Sequence, residues 1–291
     1  MAERNSVVAL GTFDGLHKGH LSVLNSALAF EGLKPVAVTF PEPPKRLQNR
    51  EIGMLMTSEE KNSWLKKMGF EIKELKYDAV CDMSPTEYLE KLFRELSVKA
   101  AVCGADHRFG KNGAGNAATL KAFCEANGVK AVICPDLKVD NMAVSSSRIR
   151  EFLKNGELEE VLLLLGRPFS FKTEVVHGEQ RGRTIGFPTA NQRLPKELVV
   201  PKLGVYATAV EVDGKKYAGV TNIGIRPMFQ LKEPQSETYI CDCSADIYGK
   251  TVEITLLQYL REEGHFGSLE GLKAAIAEDT KKAKEIFENR F

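Results

Sequence analysis

The stretch LGTFDGLHKGH, residues 10–20, decides the fold of the first half of the chain. It begins at the end of an apolar run, passes through a turn rich in glycine, and continues into leucines at helical spacing. This order predicts a buried strand, a turn and an amphipathic helix. His17 and His20 stand three residues apart at the point where the helix is expected to begin.

Strand-like and helix-like patterns alternate through the first half of the chain. Apolar runs occupy 6–11, 35–40, 98–104 and 129–135, and amphipathic stretches lie between them. In SPTEYLEKLFREL (84–96), a serine at the N-cap position and a proline at the first helical position predict the start of a helix. Such alternation favours an α/β domain with a parallel sheet and helices packed on its faces.

The second half of the chain changes to the period of two that is typical of strands. GVYATAVEVDGKKYAGVTNIG (204–224) has apolar alternation on both sides of Asp213-Gly214, a pair that predicts a tight β-hairpin. Two more strand-like runs flank a turn near 246–249, which indicates a small antiparallel barrel or sandwich. From Ser268 an apolar stripe at helical spacing predicts a C-terminal helix.

Length and composition restrict the class of protein. With 291 residues, 43% hydrophobic and 27% charged, the chain is large enough for two globular domains, which we place at 1–164 and 165–291. The formal net charge of +1 provides no bulk attraction for nucleic acid. Neither a signal peptide nor an apolar run of the ~20 residues that a membrane span requires is evident. We expect a cytoplasmic protein, monomeric or weakly self-associating, that binds neither nucleic acid nor membranes.

The residues alone leave three interpretations of the histidine pair: a metal pair, two core histidines, or a phosphate-binding turn. Zinc ligands on one helix favour i, i+4 spacing with a third ligand, and burial in the core would leave the glycines unexplained. A helix N-terminus offers free N–H groups and a positive dipole end to phosphate oxygens, and Gly11 and Gly19 allow a close approach. The pattern favours the phosphate-binding turn, in which Asp14 contacts the nucleotide or caps the helix.

VSSSRIR, residues 144–150, offers a second group of phosphate donors. The hydroxyls of Ser145, Ser146 and Ser147 lie near an expected helix start, and Arg150 supplies a planar cation. Alone, this segment is typical of a solvated helix cap. Combined with the histidine turn, the hydroxyls and the guanidinium would suit a leaving pyrophosphate.

HGEQRGRTIGFPTAN, residues 177–191, is the informative segment of the second half. Its GEQRGR portion alone is typical of a charged surface hairpin. Thr189 and Asn191 are two residues apart, so in an extended segment their side chains project to one side. A hydroxyl and an amide carbonyl are hard oxygen ligands that suit Mg²⁺ already held mainly by ATP phosphates.

Residues 10–20 closely resemble the G-x-F-D-G-x-H-x-G-H motif of nucleotidyltransferases in the form found in prokaryotic FAD synthetases. The similarity includes CGADHRFGKNGAGN (103–116), which resembles that family's glycine-rich flavin and nucleotide loop, and residues 144–150. The resemblance implies a Rossmann-like domain in which the FMN phosphate attacks the α-phosphorus of ATP, with no protein nucleophile. The residues that it implicates are His17, His20 and Arg150 on the reacting phosphates, Gly11, Phe13, Asp14, Gly15, Gly19, Ser145, Ser146 and Ser147 on the nucleotide, and Asp106 and Asn116 on the flavin.

Residues from about 167 to 291 strongly resemble riboflavin kinases, above all in the motif GFPTAN (186–191). The resemblance implies a small antiparallel β-barrel with a terminal helix that phosphorylates riboflavin to FMN with ATP and Mg²⁺. Glu237 then matches the general base that accepts the proton of the ribityl 5′-hydroxyl. The other residues that it implicates are Gly178, Arg183, Thr189 and Asn191 on the nucleotide, Thr189 and Asn191 also on the metal, and Arg261 near the flavin.

Arg261 has an alternative in a surface ion pair with Glu262 or Glu263. Three further positions depart from the family patterns: Pro43 and Met228 replace a histidine and a threonine, and His107 replaces a phenylalanine.

The order of the two modules matches bifunctional riboflavin kinase/FAD synthetases. We therefore expect one chain that makes FMN and then FAD, with the flavin as substrate and product. The alternatives are the same fold with an impaired adenylyltransferase, a flavin-binding regulator without turnover, and a nucleotidyltransferase for another acceptor.

Overall fold

Two compact units, Met1–Ser146 and Ser147–Phe291, make up the chain. The structure is a computed structural model, and it describes residues 5–177, 186–228, 231–243, 245–264 and 266–291. The first unit ends where a helical segment begins, and the predicted domain boundary between residues 164 and 165 stays a prediction.

A five-stranded parallel sheet forms the centre of the first unit, as the alternation of patterns predicts. The order of its strands is β3-β2-β1-β4-β7, and every pair is parallel. The elements in chain order are β1 (Ser6–Leu10), α1 (Lys18–Leu28), β2 (Lys34–Thr39), α2 (Pro44–Gln48), α3 (Ser58–Lys67), β3 (Glu71–Glu74), α4 (Pro85–Leu96), β4 (Val98–Gly104), β5 (Arg108–Phe109), β6 (Gly115–Asn116), α5 (Ala117–Ala126), β7 (Lys130–Cys134), β8 (Lys138–Val139) and β9 (Met142–Ala143).

Strand β1 lies at the centre of this sheet and is buried at all five of its positions. Val8 and Leu10 belong to the apolar layer of α4 and α5, whereas Val7 and Ala9 belong to that of α1 and α3. The strand order reverses around β1, and in doubly wound sheets ligands bind outside the carboxyl ends of the strands at such a reversal. The turn after β1 therefore lies where a site is expected.

Helix α4 begins as the sequence predicts. The Ser84 hydroxyl accepts a hydrogen bond from the N–H of Glu87, whose carboxylate accepts in return from the N–H of Ser84. Pro85 occupies the first turn, where its missing N–H costs no helical hydrogen bond. A capping box of this kind satisfies two backbone donors that the helix itself leaves unpaired.

Six antiparallel strands in the second unit close into a barrel with the order β10-β11-β14-β13-β12-β15. The sequence pattern indicated either a barrel or a sandwich, and the structure shows a barrel. No helix in the described ranges combines the length and apolar character needed to cross a membrane. The elements in chain order are α6 (Ser146–Asn155), α7 (Leu158–Leu165), β10 (Ser170–Val176), β11 (Thr189–Arg193), β12 (Gly204–Val212), β13 (Lys215–Met228), β14 (Leu231–Ile240), β15 (Thr251–Arg261) and α8 (Leu269–Glu288).

Two local predictions for this unit are confirmed. Asp213 and Gly214 turn the chain between β12 and β13 with φ angles of 50° and 78°, the two positive values of a type I′ hairpin turn. Ser268 caps α8 by accepting a hydrogen bond from the N–H of Gly271 at 3.0 Å. Helix α8 buries Ala283 against an outward-facing apolar cluster of β12 and β13.

A ladder of buried hydroxyls crosses the opposite, inner face of the barrel strands. Thr208, Thr221 and Thr238 are each 0% exposed. Oγ1 of Thr221 lies 3.0 Å from Oγ1 of Thr208 and 2.9 Å from Oγ1 of Thr238. Thr238 and Ser236 also contact the side-chain amide of Gln192. The ladder fixes β11, β12, β13 and β14 in one register, because a shift by one residue would turn each hydroxyl to the outer face.

We expect Thr221→Val to lower the free energy of unfolding by about 1–3 kcal/mol, because Thr208 and Thr238 each lose a buried partner. Thr251→Val, at an exposed position that begins β15, serves as the control and should change that free energy by no more than about 0.5 kcal/mol. Chemical denaturation of both variants provides the measurement. Equal stabilities would show that the ladder contributes nothing.

Candidate active sites

Packing shapes the turn between β1 and α1. Phe13 and Leu16 have positive φ angles of 52° and 43°, and both side chains are buried in the core. Gly15 has φ 84°, and a Cβ atom there would lie 2.7 Å from Cδ1 of Leu55, so only glycine fits. A Cβ at Gly11 would lie 2.9 Å from Cε1 of Phe13. These glycines therefore make room for core side chains as well as for any ligand.

His17 is the N-cap of α1, and His20 lies in the first turn of that helix. Nδ1 of His17 accepts a hydrogen bond from the N–H of His20 at 3.2 Å, and the two rings stack with centroids 3.6 Å apart. A Cβ at Gly19 would lie 3.2 Å from the same Nδ1. The two histidines thus form one compact group at the helix N-terminus, where the dipole favours anions.

Burial lowers the pKa of His20 well below its usual value, and the neighbouring His17 and Lys61 lower that pKa further. Within the described residues, Nδ1 of His20 is buried and has no hydrogen-bond partner. The ring is therefore neutral at pH 7 and keeps one nitrogen available.

Across the described ranges, no cluster of three or more His, Cys, Asp or Glu side chains could hold a metal ion.

Asp14 does not cap α1. Its Oδ1 accepts a hydrogen bond from the N–H of Leu55 at 2.8 Å, and its side chain is buried. The prediction that it caps the helix is wrong, because His17 occupies the cap position. Its predicted contact with the nucleotide stays a prediction.

Ser146 is brought to the same turn. Its Oγ donates a hydrogen bond to the backbone oxygen of Asp14 at 2.9 Å, so the last residue of the first unit contacts the turn after β1. Ser145 precedes it in the chain, and Ser147 and Arg150 follow it within α6. The predicted phosphate contacts of these four residues remain predictions.

The glycine-rich segment after β4 folds into the short hairpin of β5 and β6. Asp106 is exposed in the turn that precedes this hairpin. Asn116 is the N-cap of α5, and its Oδ1 accepts a hydrogen bond from the N–H of Thr119 at 3.0 Å. Asn116 therefore has a structural task in addition to any contact with flavin.

His107 supplies a neutral flat ring in this segment. Burial lowers its pKa to about 4, and its ring stacks on Phe109 with centroids 5.7 Å apart. Its Nε2 is buried and has no hydrogen-bond partner in the described parts of the chain. His107, which stands where the family has a phenylalanine, thus keeps an uncharged aromatic surface and adds one polar atom to it.

Three polar residues form a row on the outer face of the barrel. Glu237 of β14 lies directly between Asn191 of β11 and Asn222 of β13. Thr189 belongs to the same strand as Asn191, two residues earlier, and pairs with Tyr239. Because side chains alternate along a strand, Thr189 and Asn191 share the face of Glu237.

Asn222 is the member of this row that the sequence analysis missed. Its Nδ2 donates a hydrogen bond to Oε1 of Glu263 at 2.7 Å, and its Oδ1 is buried without a partner within the described residues. A Cβ at Gly224 would clash with the Glu263 carboxylate, which therefore lies across β13. The only sequence signal for Asn222 is that it begins the segment NIGIRP, residues 222–227, which lies within the part of the chain that resembles riboflavin kinases. Two oxygen acceptors, Asn222 Oδ1 and the Glu237 carboxylate, thus stand side by side.

Arg261 pairs with Asp279 of α8. Its Nε and Nη2 donate to Oδ2 of Asp279 at 3.0 and 2.8 Å, and its guanidinium lies 5.2 Å from the centroid of the Phe266 ring. An ion pair with Glu262 or Glu263 is the wrong alternative, because the guanidinium faces the buried carboxylate of α8. Its predicted place near the flavin stays a prediction.

Some predicted positions cannot be placed. Gly178 and Arg183 lie outside the described residues, and so does the side chain of Met228.

Comparison with known families divides the chain in two. A family described as FAD synthetase matches residues 1–148, and a family described as riboflavin kinase matches residues 165–287.

Similar proteins cover nearly the whole chain. The bifunctional riboflavin kinase/FMN adenylyltransferase of Listeria monocytogenes serovar 1/2a is 35% identical over 292 residues, which cover 97% of this chain and 93% of that protein. The protein of the same description from Bacillus subtilis (strain 168) is 34% identical over 298 residues, with coverage of 99% and 94%. A crystal structure described as a macrolide-efflux protein from Streptococcus pneumoniae has a TM-score of 0.88, 30% identity and coverage of 98% and 95%.

Proposed function

The chain belongs to the family of bifunctional riboflavin kinase/FMN adenylyltransferases, and on this premise we propose that it converts riboflavin to FAD in two steps. The second unit phosphorylates riboflavin with ATP to give FMN and ADP. The first unit transfers the adenylyl group of a second ATP to FMN and releases pyrophosphate. The observation that carries the proposal is the 35% identity over 97% of the chain to a protein that is named for both activities.

In the kinase step, Glu237 acts as the general base. The ribityl 5′-hydroxyl attacks the γ-phosphorus of ATP, its proton passes to the Glu237 carboxylate, and the bond from the γ-phosphorus to the bridging oxygen breaks. The buried Oδ1 of Asn222, beside that carboxylate, accepts a hydrogen bond from a ribityl hydroxyl. The support for this role is that Nδ2 of Asn222 is already engaged by Glu263.

Thr189 and Asn191 are the residues that would hold Mg²⁺. A hydroxyl and an amide oxygen on the face of Glu237 fit a hard cation whose remaining ligands are phosphate oxygens and water. When bound, the ion would neutralise charge on the ATP phosphates. Gly178 and Arg183 are proposed to contact the same nucleotide, and Arg261 is proposed to lie near the flavin.

In the adenylyl step, positioning takes the place of a protein nucleophile. An oxygen of the FMN phosphate attacks the α-phosphorus of ATP, and the bond to the bridging oxygen of the pyrophosphate breaks. His17, His20 and the N–H groups at the start of α1 bind the ATP phosphates, a role supported by the stacking of the two rings and by the lowered pKa of His20. Ser146 and Arg150 are proposed to hold the leaving pyrophosphate.

A chromatographic assay of flavins tests the function directly. Purified protein receives ATP and Mg²⁺ with riboflavin in one tube and with FMN in another. We expect FAD in both tubes. FMN made from riboflavin, with no FAD in either tube, would mean that the first unit is impaired. No product at all would favour a flavin-binding regulator.

The cytoplasmic location, the lack of nucleic-acid and membrane partners, and the monomeric or weakly self-associating state stay predictions.

Glu237→Gln should nearly abolish FMN formation, by about 100-fold or more, because the amide cannot accept the proton of the hydroxyl. FAD formation from added FMN should stay unchanged. Glu174→Gln, an exposed glutamate of β10, is the matched control and should leave both activities intact. If both activities fell together in folded Glu237→Gln protein, the division of labour would be wrong.

His20→Ala should lower FAD formation from FMN by about tenfold or more, because a phosphate contact at the start of α1 is lost. FMN formation from riboflavin should not change. Asn25→Ala, an exposed residue of the same helix, controls for effects on α1 itself. A full adenylyl rate in His20→Ala would remove this histidine from the site.

A further inference from the structure

Lys61 of α3 is a buried lysine that belongs to neither set of site residues above. It is 3% exposed, and its Nζ donates hydrogen bonds to the backbone oxygen of Phe40, to Oγ1 of Thr39 at 3.4 Å and to the backbone oxygen of Thr12 at 3.5 Å. Oγ1 of Thr39 itself donates to the same oxygen of Thr12 at 2.9 Å. The three acceptors lie at the carboxyl ends of β1 and β2, so one ammonium joins the ends of two neighbouring strands.

The charge of this ammonium is unusual for its surroundings. In the part of the chain that the structure describes, all of its hydrogen-bond acceptors are neutral oxygens. Burial lowers the pKa of Lys61 to about 8, and the more distant carboxylates of Asp14 and Glu74 partly oppose this shift. At neutral pH a largely protonated ammonium therefore lies next to the turn between β1 and α1, which leads to His20. A buried cation without a directly paired anion is costly, and such groups concentrate at functional sites.

We propose that Lys61 is a positioning residue of the adenylyl-transfer site. Its protonated ammonium holds the carbonyl of Thr12, in the turn that leads to His17 and His20, against the end of β2. The same charge adds a positive potential to the helix N-terminus where the ATP triphosphate is bound. Because it is buried, Lys61 acts through the turn and not by touching the substrate. This inference rests on the proposed adenylyl transfer.

The first test compares Lys61→Met with Lys66→Met, which replaces an exposed lysine of the same helix. FAD formation from FMN is measured at pH 7.5 over a range of ATP concentrations, and FMN formation from riboflavin in the same samples provides an internal reference. We expect Lys61→Met to raise the KM for ATP by about tenfold or more. Lys66→Met should stay within about twofold of the unmodified protein. A merely unfolded fraction would lower kcat and leave this KM unchanged.

The second test is the pH dependence of the same KM. The titratable groups that face Lys61 are Asp14 in the turn, Glu74 of β3 and His20 of α1, which is neutral at pH 7. Loss of the Lys61 proton should raise the KM for ATP as the pH increases through about 8. Lys61→Arg should retain a low KM at pH 7.5 and move this rise to higher pH, because a guanidinium keeps its proton.

Two results would overturn the inference. One is an unchanged KM for ATP in Lys61→Met, and the other is the same pH dependence in Lys61→Arg and the unmodified protein. The second comparison remains decisive if Lys61→Met fails to fold. Absence of FAD with the unmodified protein would instead contradict the proposed function, so the two failures are distinguishable.

Discussion

The hydrogen-bonding requirement of buried polar groups is the constraint on which both sites depend. Within the protein, Asp14 meets it through Leu55, and Lys61 meets it through three oxygens at the ends of two strands. Some buried atoms have no partner in the described residues, and three of them belong to the candidate sites or their surroundings: His20 Nδ1, His107 Nε2 and Asn222 Oδ1. An unsatisfied buried polar atom costs about 1–3 kcal/mol, a cost that a bound substrate can remove. The constraint thus leads from folding to function.

In the barrel, the same constraint and the alternation of strand side chains act together. Thr221 precedes Asn222, Thr238 follows Glu237, and Gln192 follows Asn191. The inner residue of each pair belongs to the buried ladder, and the outer residue belongs to the row around Glu237, the proposed general base. The register that satisfies the inner hydroxyls is therefore the one that aligns the outer row. A slip of one residue would lose both, which makes the interior of the barrel a support for the chemistry on its surface.

The sequence predicted those parts of the fold that depend on neighbouring residues. The capped start of α4, the Asp213-Gly214 turn and the helix after Ser268 each follow from short patterns, and the structure confirms them. It could not predict contacts between distant segments. Asp14 accepts a hydrogen bond from Leu55, which is 41 positions away in the sequence. Arg261 of β15 pairs with Asp279 of α8, which is 18 positions away. Lys61 and Asn222 went unnoticed for the same reason: only the folded chain gives a lysine in a helix or an asparagine in a strand its neighbours.

The departures at His107 and Pro43 have different weight once their surroundings are known. His107 is neutral and stacked, so the flat uncharged surface of a phenylalanine is kept beside the predicted flavin contacts. Pro43 directly precedes α2, where Arg46 is tied to Glu42 at 3.0 Å and to the backbone oxygen of Ile52 at 2.7 Å. The proline thus belongs to an anchored segment at the end of β2, next to Phe40, whose carbonyl binds the buried lysine. Pro43 therefore removes one polar side chain from the site. The backbone around it remains fixed by the contacts of Arg46 and of the Phe40 carbonyl. An adenylyl site with one weaker contact agrees better with this arrangement than a site that has lost its function.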